Sequence, residues 1–370
     1  MIRTRLIKLS PINPERSKIA LGAKILRNGG LVAFPTETVY GLGSNALDPI
    51  AIKRIYSAKG RPADNPLIIH IAEIEDLKDI SKAINRKILK LAEKFWPGPL
   101  TLVLPKSNLV PKIATGGMDT IAVRMPDHNI ARSLIRLSGV PIAAPSANIS
   151  GRPSPTRASH VIEDLWGKVD IIIDGGKTAI GLESTVLDMT SSVPVLLRPG
   201  GLPLEKLNKV IENIRLHPCV ENPNYMVKNF EKPNSPGMQY KHYSPKADLI
   251  VVEGPESKVT SKIKQISNRT MTIEGKKVCI VTRRRHHKFD ADIVRFVGTD
   301  SKSFSKNLFD AFRHADRYDV DVIITEGIET FDLGLAIMNR LKKAANEVIN
   351  TWEIEGRMDM NSRSSIEEPK

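Results

Sequence analysis

Apolar residues along this chain fall in short, nearly unbroken runs, separated by stretches in which they recur every three or four positions. The runs LVAF (31–34), PLIIHI (66–71), LTLVL (100–104), TIAVRM (120–125), PIAAP (141–145), DIIID (170–174), STVLDM (184–189) and PVLLR (194–198) predict β-strands. Several lack polar alternation, the pattern of a strand covered on both faces. Asp48 followed by Pro49 reads as an N-cap with proline at the first helical position, opening a helix over DPIAIKRIYSAK. HNIARSLIRLSG sets Ile130, Leu134, Ile135 and Leu137 at helical spacing and stops at Gly139. LTLVL, TIAVRM and PIAAP follow one another with little helix between them, so the sheet should be mixed and not purely parallel. A helix over PLEKLNKVIENI closes this first domain, residues 1–214.

Residues 215–246 break the pattern, with five prolines and no sustained periodicity. A structureless connection of that length is a linker or a functional lid. Its end, SPGMQYKHYSP, concentrates aromatic and cationic side chains, which favours the lid. Strand-like DLIVVEG, KKVCIVT, DIVRFVG and DVIITEG then alternate with helical patterns such as SKNLFDAFRHADRY, and GLAIMNRLKKAANEVI reads as a closing helix. That alternation predicts a smaller, Rossmann-like parallel α/β domain over 247–355. Residues 356–370 read as a disordered tail.

Composition narrows the picture. A chain of 370 residues with 41% apolar content builds real cores, and a formal charge of +14 calls for an anionic partner such as a nucleotide or nucleic acid. Two cysteines, Cys219 and Cys279, exclude a disulfide framework and a cysteine-based zinc site. The N-terminal stretch lacks a signal-peptide core and no run is long enough to span a membrane, so a soluble, cytoplasmic protein is expected.

There is no Walker A sequence and no GxSxG elbow. GLGSNA (41–46) matches the loose GxGxxG/A pattern, but the next helix starts later, at Asp48. RRRHHK (283–288) reads as a solvated basic loop. Three constellations point to chemistry instead. FPTETVYGLG (34–43) is a strand running into a turn dense with hydroxyls. SAKGRPADNPLIIHI (57–71) sets Lys59 and Arg61 two apart, in a non-helical corner made rigid by Pro62 and Pro66, with Asn65 and His70 behind. Arginine supplies bidentate bonds there and lysine a point charge, which suits phosphate. APSANISGRPSP (144–155) adds Ser146, Asn148 and Ser154, while ESTVLD and LLRPG add Ser184 and Arg198 at strand ends. Hydroxyls, amides and cations recur, with no carboxylate pair and no nucleophilic Cys/His set. That profile fits a site that binds phosphates and positions reactants.

In this order, FPTETVYGLG, AKGRPADNPLIIHI, WPGPLTLVL, VRMP, APSANISGRPSP, DGG, ESTV and LLRPG resemble the YrdC-type threonylcarbamoyl-adenylate synthases, over roughly residues 15–215. PGMQYKHYSP and the second domain resemble the long, two-domain form. The resemblance implies an α/β catalytic domain with a twisted mixed sheet around a basic cavity. It implies synthesis of threonylcarbamoyl-AMP and pyrophosphate from L-threonine, bicarbonate or carbon dioxide, and ATP with its magnesium, followed by hand-over to a tRNA threonylcarbamoyl transferase complex. Carried over by motif, Thr38, His70, Arg124, the Ala144 backbone and Ser184 would bind threonine. Lys59, Arg61, Asn65, Thr120, Ser146, Asn148, Ser154 and Arg198 would bind ATP, with Tyr240 reaching in from the linker. Lys59 and Arg61 would be the catalytic cations. Folds of this type have also been associated with double-stranded RNA, so a tRNA- or RNA-binding module without catalysis is the competing reading. The large hydrogenase-maturation proteins share the domain, but their zinc-finger and acylphosphatase-like segments have no counterpart here.

Overall fold

In the computed structural model, residues 2–221 and 243–352 are described. All eight apolar runs of the first domain form strands there. Three further strands, Arg5–Lys8, Gly41–Asn45 and Arg215–Leu216, complete an 11-stranded sheet. Its order is Arg5–Lys8, Ile171–Asp174, Val32–Phe34, Gly41–Asn45, Ile142–Ala143, Ile68–His70, Thr120–Arg124, Leu100–Pro105, Thr185–Asp188, Val195–Arg198 and Arg215–Leu216. Ile68–His70 runs parallel to Thr120–Arg124, while Val32–Phe34 and Gly41–Asn45 are antiparallel. The sheet is therefore mixed. Its inner strands are buried on both faces, as their apolar runs require, while the edge strands Arg5–Lys8 and Arg215–Leu216 are largely exposed.

The glycine-rich GLGSN segment is a strand and not a phosphate loop. A Cβ on Gly43 would come within 2.6 Å of Phe34 and 2.9 Å of Ile142, so its glycine serves close strand packing. The Pro49–Lys59 helix starts as expected, with the Asp48 carboxylate accepting from Ile50 N at 2.8 Å. It runs through Lys59 and stops at Gly60, left-handed at φ 60°. The corner is therefore only half non-helical: Lys59 belongs to the last helical turn and Arg61 to the turn beyond it. The helix expected over PLEKLNKVIENI covers only Leu204–Asn208. Beyond it Ile211 turns into the core, and Asn213 adopts φ 58°, which no α-helix accommodates. The first core extends to Val220.

The second domain is a five-stranded parallel sheet, ordered Ile293–Phe296, Val278–Thr282, Val322–Glu326, Asp248–Glu253 and Glu347–Asn350. The closing helix is shorter than its sequence pattern, Gly334–Ala344. Asn346 then exchanges hydrogen bonds with Leu249, through its N–H at 2.8 Å and its side-chain oxygen at 3.0 Å, and Glu347–Asn350 pairs as an edge strand. A free edge beside Asp248–Glu253, together with β-branched Val348 and Ile349, overrides the helical reading of NEVI.

The two domains dock through the Ser301–Arg317 and Gly334–Ala344 helices of the second. The fully buried Arg313 donates to the Pro153 carbonyl at 2.6 Å and to Asp164 at 2.7 Å. Gly181, at φ 85°, lets the chain pass Ser305; any Cβ there would lie 2.4 Å from the Ser305 carbonyl oxygen. Neither cysteine forms a disulfide among the described residues, and both are buried. Among the described residues no helix is long and apolar enough to cross a membrane. Tyr240 and most of the linker, with the tail after residue 352, lie outside the described residues.

Candidate active site

Strand ends bring distant parts of the chain to one cleft. His70 and Arg124 are partners in parallel register at the ends of neighbouring strands. Ser184 precedes the Thr185–Asp188 strand, and Arg198 ends the strand antiparallel to it, so both reach the same edge. The 144–155 loop is tied across residues 40–42: Leu42 N donates to Pro145 O, Ala147 N to Tyr40 O and Tyr40 N to Pro155 O, each at 2.8 Å. The resulting cleft is lined by Thr38, Lys59, Arg61, His70, Arg124, Ala144, Ser146, Asn148, Ser154, Ser184 and Arg198, eleven of the fourteen candidates. Asn65 and Thr120 are not among the lining residues, and Tyr240 lies outside the described ones. Thr120 begins the strand that ends at Arg124.

Empty space in the cleft, counted to its mouth, is about 720 Å³. Among the described residues that line it, five are cationic (Lys59, Arg61, Arg124, Arg152 and Arg198) and one is a carboxylate, Glu183, so the cleft favours an anion. Arg61 is held by neutral oxygens: its NH2 donates to Asn65 Oδ1 at 2.6 Å and to Pro66 O at 2.9 Å, and its Nε to Asn65 O at 3.2 Å. Asn65 thus aims Arg61 without cancelling its charge. Burial lowers the Arg61 guanidinium to about 10, which leaves it charged at neutral pH. Lys59 Nζ donates to the carbonyls of Ser146 and Asn148, so it orders the loop as well as lining the cleft. Burial, with Arg61 nearby, holds its ammonium well below the ordinary lysine range.

Arg124 donates from NH1 to Thr38 Oγ1 at 2.9 Å and from Nε to Gly98 O at 3.2 Å. Its NH2 lies 2.6 Å from Glu37, yet neither Glu37 oxygen is aligned for a hydrogen bond. The charge pair is close, but part of the Arg124 fork is left without a well-directed acceptor. Ser184 Oγ shares a hydrogen bond with Thr101 Oγ1 at 2.8 Å, and Arg198 wraps the Ser184 carbonyl from Nε and NH2 at 3.2 and 3.0 Å. Asn148 is buried, and its Oδ1 has no partner among the described residues.

Two carboxylates that sequence reasoning did not single out stand at this site, Glu37 and Glu183. Both lie inside quoted motifs, PTETV and ESTV, and each faces an arginine, so they form no acid–base pair. Glu183 accepts from Ser154 Oγ and from Nε of Arg340, the latter at 2.8 Å. Arg340, fully buried, comes from the second domain. Its signal was its phase: it sits within the apolar stripe of Ile337, Leu341 and Ala344.

Fold and cleft together define a two-domain α/β enzyme with a cation-lined site at its strand ends. The family profile described as "Telomere recombination" (Sua5/YciO/YrdC) matches residues 24–200, and that described as "Threonylcarbamoyl-AMP synthase, C-terminal domain" matches residues 202–346. A Pyrococcus abyssi protein named threonylcarbamoyl-AMP synthase is 57% identical, over 90% of this chain and 95% of its own length. A Bacillus subtilis protein of the same name is 46% identical, over 91% of this chain and 95% of its own. The crystal structure of the P. abyssi Sua5 protein complexed with L-threonine superposes with a TM-score of 0.90 at 55% identity, covering 94% of this chain and all of that one. The chain belongs to the Sua5/YrdC family, in its two-domain form.

Proposed function

We propose that the gathered residues form an amino-acid subsite and a nucleotide subsite for one condensation. The chain is an enzyme of threonylcarbamoyl-AMP synthesis, joining L-threonine, bicarbonate or carbon dioxide, and ATP. Threonine is held with its carboxylate on Arg124, whose buried guanidinium lines the cleft and is paired on one side with Glu37. Its side chain faces Thr38, Ser184 and His70, and its amino group lies near the Ala144 backbone. The amine captures carbon dioxide as a carbamate. A carbamate oxygen then attacks the α-phosphorus of ATP, the α–β bridging P–O bond breaks and pyrophosphate leaves.

ATP lies along Lys59, Arg61, Ser146, Asn148, Ser154 and Arg198, with Asn65 acting through Arg61 and Thr120 and Tyr240 completing the set. Asn148 Oδ1, buried and without a partner among the described residues, is assigned as an acceptor for the nucleotide. Lys59 and Arg61 are the catalytic cations, neutralising phosphate charge so that two anions can meet. Magnesium is read as entering on the phosphates of ATP, as nucleotide substrates carry it. The product is a labile mixed anhydride, and it passes in the cytoplasm to an enzyme that transfers the threonylcarbamoyl group to tRNA.

The single observation behind this reading is the inward-facing set of buried cations around hydroxyls. Lys59, Arg124 and Arg198 are at most 5% exposed, out of reach of an RNA duplex, which disfavours a simple RNA-binding module. Pyrophosphate release that requires threonine, bicarbonate and ATP together tests the reading. Release without threonine, or none at all, would overturn it.

A further inference from the structure

We propose that Arg340, supplied by the second domain, is a positioning residue for the nucleotide half of the site. The inference rests on the assignment of Ser154 and Arg198 to ATP. Arg340 lies on the Gly334–Ala344 helix and is fully buried. Its Nε donates to Glu183 Oε2 at 2.8 Å, and the other Glu183 oxygen accepts from Ser154 Oγ. Its NH1 donates to Asn339 Oδ1 at 2.9 Å, while NH2 has no acceptor among the described residues. The guanidinium lies over the Tyr243 ring, 5.1 Å from its centroid, and Tyr243 is itself hydrogen-bonded to Arg198 and stacked on Phe309 at 5.6 Å. One second-domain arginine thus reaches both Ser154 and Arg198, by way of a carboxylate and a ring.

The physical need is clear. Glu183 is nearly fully buried, and burial alone would push its carboxyl towards the neutral form; Arg340 first and Arg198 second hold it ionised. Without Arg340 the carboxylate would turn to Arg198 or take up a proton. Either change moves the Ser154 hydroxyl and competes for the Arg198 fork. A displacement of an ångström at a reacting centre is costly in rate. Among the described residues Arg124, Thr38 and His70 share no hydrogen bond with this chain of contacts; of the threonine set only Ser184 meets it, through Arg198. Loss of Arg340 should therefore appear more strongly in the ATP parameters than in those of threonine.

The test is pyrophosphate release by the full-length protein, titrated separately with ATP and with threonine. Arg340→Gln should raise the ATP KM by about tenfold or more and the threonine KM several-fold less than that. Adding Glu183→Gln to that variant removes the stranded charge and should recover most of the ATP affinity. A role confined to holding the domains together predicts a lowered melting temperature, an unshifted ATP-to-threonine KM ratio and no recovery in the double variant; that result overturns the proposal. Should Arg340→Gln not fold, Arg340→Lys keeps the charge as a single-point donor and should raise the ATP KM by about two- to fivefold only. Equal movement of both KM values in that variant overturns the proposal too. Ser154→Ala separates the underlying assignment: if it raises the threonine KM and spares that of ATP, the nucleotide reading of Ser154 falls and the proposal with it. An ATP effect in Ser154→Ala with none in Arg340→Gln overturns the proposal alone.

Discussion

His70 and Arg124 stand side by side at the ends of two parallel strands, in paired register. Burial first, and the neighbouring guanidinium second, lower the His70 imidazole to about 3. A buried neutral ring beside a buried cation can offer hydrogen bonds to a bound amino acid without adding charge.

That placement makes a stability prediction. His70 titrates near 6.5 when unfolded and near 3 when folded, so between those values the unfolded chain binds the extra proton and stability falls as pH falls. From pH 7 to pH 5 the loss from this residue should be about 2 kcal/mol. Denaturant unfolding at the two pH values, on wild type and His70→Gln, measures it. The variant should lose less stability than wild type over this interval, and equal losses would remove His70 as the cause.

Arg124→Ala should raise the threonine requirement by about 10- to 100-fold, the usual worth of a charged hydrogen-bond pair. The ATP requirement should move far less. Serine, lacking one methyl contact, should be a poor but measurable substrate, weaker by about 1–3 kcal/mol. Steady-state kinetics with each substrate varied in turn decide this, and equal rises in both KM values would remove Arg124 as the carboxylate anchor.

Arg61→Ala should lower turnover by about two to three orders of magnitude, as loss of a preorganised charged donor does. Asn65→Ala should cost less, because the Asn65 and Pro66 carbonyls still hold the guanidinium. Near-wild-type pyrophosphate release from Arg61→Ala would take that residue out of the phosphate site.

Asp48→Ala removes the N-cap of the helix that ends at Lys59. Stability should fall by about 1 kcal/mol with kcat little changed, since the cap lies at the opposite end of the helix from the cleft. Thermal melting beside turnover checks it. A large loss of kcat with an unchanged melting temperature would mean that Asp48 acts on the site itself.

Local pattern alone specified much of this protein. Strands buried on both faces read as apolar runs, so Val32–Phe34, Ile68–His70 and Val195–Arg198 were legible, as were the Asp48 cap and the Gly139 stop. The motif order placed Thr38, Lys59, Arg61, Arg124 and Arg198 in one candidate site, because their neighbours in sequence carry the same chemistry. Gly41–Asn45 escaped the reading because glycine has no side chain to show a period. The run after Ala344 has a helical pattern, but a free sheet edge outweighs that propensity and makes Glu347–Asn350 a strand. Only the tertiary structure could show that Lys59 also braces the Ser146 and Asn148 carbonyls, that Glu37 and Glu183 each meet an arginine, and that Arg340 crosses from the second domain to the Ser154 carboxylate partner. Those relationships join residues far apart in the chain; Arg340 lies 157 positions after Glu183. Hydrogen bonds and buried charge pairs act over a few ångströms, and which distant residues come that close is decided by how the sheets and helices pack.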